Sequence, residues 1–146
     1  MIIFDRDKKA EIRRVAITSL DILRKKATHN TDQVTYLKAK SLLPFLYRSL
    51  LDKDKTVRNS ALLAISNFGP QGELMFIEGV TKEANAAIRV ECAKGLGKIG
   101  PSTFRTLLLT LHDQNFAVKE AACVAVLKNM TPESVFESFE DKDHQK

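Results

Sequence analysis

The feature that most limits what this chain can become is that it repeats itself. VRNSALLAISNFGP begins at Val57, IRVECAKGLGKIGP at Ile88 and VKEAACVAVLKNMTP at Val118, so successive copies are offset by 31 and 30 residues. An earlier copy starts at Ile12, 45 residues before Val57, behind a longer connection through Ala27 to Gln33. Number the Val or Ile that opens each copy as position 0. Positions +4, +7, +8 and +11 are then apolar or small: Ala61, Ala64, Ile65 and Phe68; Cys92, Gly95, Leu96 and Ile99; Ala122, Ala125 and Val126, with Asn129 breaking the last copy. The first copy offers Ala16, Ser19, Leu20 and Leu23. This spacing draws one stripe along an α-helix, so each copy predicts a helix with its apolar face turned to a core. A unit of about 30 residues is too small to fold unaided, and each must bury its stripe on its neighbours.

A second apolar segment precedes each of the last three helices, at 42–51, 74–80 and 104–111, separated by polar turns, and makes the unit a helix-turn-helix. Position −5 is acidic in every copy (Asp7, Asp52, Glu83, Asp113) and position +1 is basic (Arg13, Arg58, Arg89, Lys119). An acid in that turn is placed to accept from the backbone amides that open the next helix, and the basic residue to reach the acid of its own or a neighbouring turn. Residues 1–140 thus read as one array of about four repeats whose second helices start near 12, 57, 88 and 118, with 141–146 as a frayed polar tail. MIIF at the front reads as the end of a preceding first helix. Val135, Phe136 and Phe139 read as the first helix of a further unit that packs over the fourth repeat. Both readings suit a piece of a longer array.

The pattern D-x-x-x-x-[VI]-[RK], followed by a small-residue helix that ends near Gly-Pro, resembles the HEAT repeats of the armadillo-like family. The resemblance runs over about residues 5–132. It implies an all-α fold, a right-handed α-solenoid of helix pairs whose second helices line the concave side, and a role in binding proteins.

Other signals count for less. Gly95-Leu-Gly97-Lys-Ile-Gly100 spells G-x-G-x-x-G, but no strand precedes it, and a dinucleotide site needs the strand-to-helix setting. Glycines there suit close helix packing and a helix stop. Cys92 shares position +4 with Ala61 and Ala122 and reads as packing; Cys123 lies one residue further round, toward the concave edge. Two cysteines and three scattered histidines make neither a disulfide framework nor a zinc cage. No nucleophile with a base and no paired acid and base stand at useful spacing, so neither catalysis nor a cofactor is expected. No apolar run reaches the roughly 20 residues that cross a bilayer, and no signal peptide opens the chain, which points to the cytoplasm or nucleus.

Function is therefore expected at the surface. At about 100° per residue, positions +2, +5, +6 and +9 point away from a core that faces position 0. The residues expected to hold a partner are Arg14, Thr18, Asp21, Asn59, Leu62, Leu63, Ser66, Lys94, Val124 and Leu127. Polar and basic toward one end and apolar toward the other, they describe a groove for a peptide or helix of another protein. A second reading rests on charge. Residues 1–60 carry net +7, residues 61–132 net +1 and residues 133–146 net −3, and a basic first half can attract nucleic acid or another polyanion. Acids interleave with those bases, as in DRDKKAEIRR, and no aromatic stacking platform accompanies them, so protein binding comes first.

Overall fold

The computed structural model describes residues 9–29, 37–38 and 40–140, and the side chains of all of these but 27–29 and 137–140. MIIF, Asp7, the Phe139 side chain and the 141–146 tail lie outside that set. Among the described residues every regular element is an α-helix or a 3-10 turn. They are α1 (Ala10–His29), α2 (Leu43–Arg48, prolonged by a 3-10 turn Ser49–Leu51), α3 (Lys55–Ser66), α4 (Pro70–Lys82), α5 (Ala86–Ile99), α6 (Phe104–Thr110, entered through a 3-10 turn Pro101–Thr103), α7 (Phe116–Asn129) and α8 (Pro132–Glu140).

Local chemistry sets most boundaries. All four prolines sit at helical starts, Pro44, Pro70, Pro101 and Pro132, where a missing N–H costs nothing. Gly69 (φ +62°) follows α3 and Gly100 (φ +123°) follows α5, both in the left-handed half of backbone space that stops a helix without strain only for glycine. Helix starts correct the expectation placed on position −5. The caps are at −3: Asp54 accepts from the Thr56 amide at 2.8 Å, Asn85 from Ala87 at 2.9 Å and Asn115 from Ala117 at 3.0 Å. These side chains have the extended backbone and short reach a cap needs. The acids two residues earlier brace the turn instead. Asp52 accepts from the Asp54 amide at 2.9 Å and Asp113 from the Asn115 amide at 2.8 Å.

The chain divides into two compact units, residues 1–72 and 73–146. In the first, α1 packs against α3, and α2 with its 3-10 turn packs on α3. Ile17, Leu43, Leu46, Leu50, Val57, Ala61, Leu62, Ala64, Ile65 and Phe68 form the interior. In the second, α5 packs against α7, α6 touches both, and α8 packs on α6, as expected of the segment after Pro132. Phe76, Ile88, Cys92, Ala93, Leu96, Phe104, Leu107, Val118, Ala122, Ala125 and Val126 form its interior. Positions +4, +7 and +8 are buried in α3, α5 and α7 as their periodicity requires. In α1 they are not: Ala16 and Leu20 are half-buried, while Ser19 and Leu23 are exposed. That helix buries Arg13 and Ile17 instead, the side turned to α3.

Asn129 resolves the broken position in α7. Its side chain, 7% exposed, donates to the Gly97 carbonyl at 3.1 Å, and its own carbonyl accepts from Ser134 Oγ at 3.1 Å, so a polar residue fits where an apolar one was expected. Thr131 and Ser134 complete the start of α8 reciprocally, each backbone amide donating to the other's hydroxyl oxygen.

Gly95 and Gly97 of the triplet serve packing and Gly100 stops the helix, as their helical setting predicts. A Cβ on Gly95 would meet the Phe76 ring at 2.5 Å, and one on Gly97 would meet the Ala125 Cβ at 2.7 Å. Cys92 is fully buried and Cys123 exposed.

Candidate functional site

The second helices carry the candidate residues, and two interactions fix how those helices stand beside their neighbours. The basic residue at +1 reaches the acid of the following turn. Arg13 Nε and Nη2 donate to Asp52 at 2.7 and 2.9 Å, and Arg89 Nε and Nη2 donate to Asp113 at 2.8 and 3.1 Å. In its own turn the same position ties down carbonyls: Arg58 donates to those of Asp52 and Lys53, and Arg89 to those of Glu83 and Ala84. Forked donation of this kind is geometrically specific as well as strong. Partial burial would raise the Asp52 carboxyl, but the Arg13 guanidinium and the Asp54 amide outweigh it and hold the carboxyl below its ordinary value. The Arg89 hydrogen bonds lower Asp113, helped by the Asn115 amide and opposed by burial, and they raise Arg89 in turn.

The second interaction runs between second helices. Position +9 of one faces positions +7 to +11 of the next. Gly97 (+9) lies against Ala125 (+7) and accepts from Asn129 (+11). Asp21 (+9) accepts from Asn67 Nδ2 (+10) at 3.0 Å, and Arg24 lies 5.7 Å from the Phe68 (+11) ring centre.

This contact corrects the site. Leu62, expected to face a partner, is 1% exposed, and Ile17 and Ala93 at the same +5 position are fully buried. In α1 and α5 that side packs on the next second helix, α3 and α7, and the wheel drawn around one core face missed it. Asp21 and Ser66 at +9 are half-buried. Asp21 is engaged with Arg24 and Lys25 at 3.1 and 3.2 Å, and the Ser66 hydroxyl donates to the Leu62 carbonyl at 2.7 Å. Positions +2 and +6 stay open except for Val90, which is half-buried. In the first unit these are Arg14 and Thr18 on α1, and Asn59 and Leu63 on α3, Leu63 being 52% exposed. In the second they include Lys94 on α5, whose ammonium pairs with Glu91 at 2.8 Å, and Val124 on α7, 49% exposed. Leu127, at +9 of α7, is 65% exposed. Each unit thus presents its own two-helix stripe of +2 and +6 residues.

Several bases of the first half are already engaged: Arg13 with Asp52, Arg24 and Lys25 with Asp21, and Arg58 with carbonyls. Among the described residues no group of three His, Cys, Asp or Glu side chains is arranged to hold a metal ion, and no helix is long and apolar enough to cross a membrane. The comparisons with known proteins match the chain to no family model and to no curated relative.

Proposed function

We propose that this chain is a protein-binding module built from HEAT-like repeats, a right-handed solenoid that grips a peptide or helix of another protein along the +2 and +6 stripe of its second helices, inside the cell and without catalysis. One observation carries the reading: Leu63 and Val124, at the same +6 position in different units, expose about half their surface while their immediate neighbours Leu62 and Ala125 are buried. Apolar side chains held on rigid helices and ringed by polar ones such as Asn59 and Glu120 supply anchors with little entropy to lose on binding.

The test is affinity capture with the wild-type chain, Leu63→Glu and Arg14→Glu. Loss of the captured protein with the leucine change alone supports apolar anchoring. Capture that survives Leu63→Glu, disappears with Arg14→Glu and falls steeply with salt refutes it in favour of a polyanionic ligand.

A further inference from the structure

The first unit holds far more positive charge than its own acids can use. Between positions 9 and 72 its described residues include 12 Lys and Arg against four Asp and Glu. Residues 1–8, 30–36 and 39 add two bases and three acids, too few to cancel that excess. Three of the four described acids are spent inside the unit. Asp52 holds Arg13 and the Asp54 amide, Asp54 caps α3, and Asp21 accepts from Arg24, Lys25 and Asn67. The fourth, Glu11, is exposed.

Two of the remaining bases flank the +2 and +6 stripe at one end. On α3, Lys55, Asn59 and Leu63 follow one another at i, i+4 and i+8, and on α1, Arg14 and Thr18 are i and i+4, so each set shares a helix face. All five are exposed. The two helices run parallel. The start of α1 meets the turn before α3 through Arg13 and Asp52, and its later half meets the end of α3 through Asp21 and Asn67. Arg14 and Lys55 therefore stand toward the start of the stripe, with Leu63 further along it.

We infer that the segment this module binds is an acidic one, with carboxylates at the Arg14 and Lys55 end and an apolar side chain against Leu63. The inference rests on the stripe being the binding surface and adds the chemistry of what binds there. Arg14 offers a fork that suits a carboxylate, and Lys55 a point charge. Exposed ion pairs contribute little each, so the bases select the partner and steer its approach while Leu63 supplies the apolar contact. A peptide suits this surface better than a nucleic acid, because a leucine occupies the stripe and none of its residues is an aromatic on which a base would stack.

The test selects binders from a random peptide library on the immobilised wild-type chain and measures the selected peptides by fluorescence polarisation. The expected peptides carry net negative charge and at least one large apolar residue. Each of three changes, Arg14→Glu, Lys55→Glu and amide replacement of the peptide's own Asp and Glu, weakens binding about fivefold. Lys26→Glu alters the same net charge about 18 Å along α1 from Arg14, beyond the screening length, and changes binding by less than about twofold. Leu63→Gln, which removes the anchor without adding charge, also weakens it. Circular dichroism melting checks folding, and Arg14→Gln and Lys55→Gln replace any variant that does not fold. Selected peptides that need Leu63 but are neutral or basic, or that bind equally well as amides, overturn the inference and leave the proposed function standing. Peptides indifferent to Leu63→Gln, or no selected peptide, remove the proposed function and this inference with it. So does a single-stranded oligonucleotide that binds with steep salt dependence and displaces them from the Leu63→Gln chain.

Discussion

Replacing Gly97 with alanine reverses the usual sign of that change. In a helix interior, glycine to alanine ordinarily stabilises by about 1 kcal/mol, because alanine has less backbone freedom to lose. At Gly97 the new methyl would stand 2.7 Å from the Ala125 Cβ and 3.2 Å from its Cα. Both atoms belong to the framework of α7, so no rotamer change can move them aside. Ordinary carbon contact near 3.8 Å requires α5 and α7 to part by roughly 1 Å locally. Overpacking of this kind costs up to about 3 kcal/mol. The same movement stretches the Asn129 hydrogen bond to the Gly97 carbonyl, now 3.1 Å, a bond worth about 1 kcal/mol. The expected net is a loss of about 2 kcal/mol, read as a lower urea midpoint and a Tm reduced by roughly 5 to 10 °C. Ala125→Gly alone also destabilises, by about 1 to 2 kcal/mol, through helix propensity and one lost buried methyl. Together the two changes only move a methyl from one helix to the other, so the double variant recovers at least about 1 kcal/mol relative to additivity. If Gly97→Ala is as stable as wild type or more so, or if the double-mutant cycle shows no coupling, the close approach of these helices is refuted.

Neighbouring leucines give a second contrast: Leu62→Ala costs about 2 to 5 kcal/mol in urea unfolding, whereas Leu63→Ala changes stability by no more than about 0.5 kcal/mol, and equal costs would refute the burial of Leu62 and the exposure of Leu63. Acid supplies a third. The Asp113 carboxyl is held below its ordinary value, chiefly by Arg89, so its contribution is complete above the ordinary carboxylate value near pH 4 and is lost as pH falls through the lower folded value. Asp113→Asn should therefore be less stable than wild type at neutral pH and show a shallower stability decline into acid, measured by urea titration from about pH 6 to pH 2. An unchanged acid slope refutes the coupling.

The repeat made the helices legible before any coordinates, because a stripe at +4, +7, +8 and +11 must be buried wherever a neighbour exists. It located Val57, Ile88 and Val118 in the interior and identified the glycine triplet as close packing and a helix stop. The capping residues were equally visible, as Asp54, Asn85 and Asn115 three residues before position 0. The acid at −5 drew attention from them because it recurs in every copy and has chemistry that would suit the same task.

Helix identity, helix order and the bases and acids available for pairing follow from residue order alone, since periodicity and turn chemistry act within a few residues. Which side of each second helix meets another helix is settled by long-range packing, which carries no local signature: Leu62 and Leu63 look alike in the chain and differ from 1% to 52% in exposure. The same holds in α1. It shares the sequence pattern of α3, α5 and α7 but buries Arg13 and Ile17 rather than the stripe at +4, +7 and +8, because burial depends on a neighbour as much as on the residue itself.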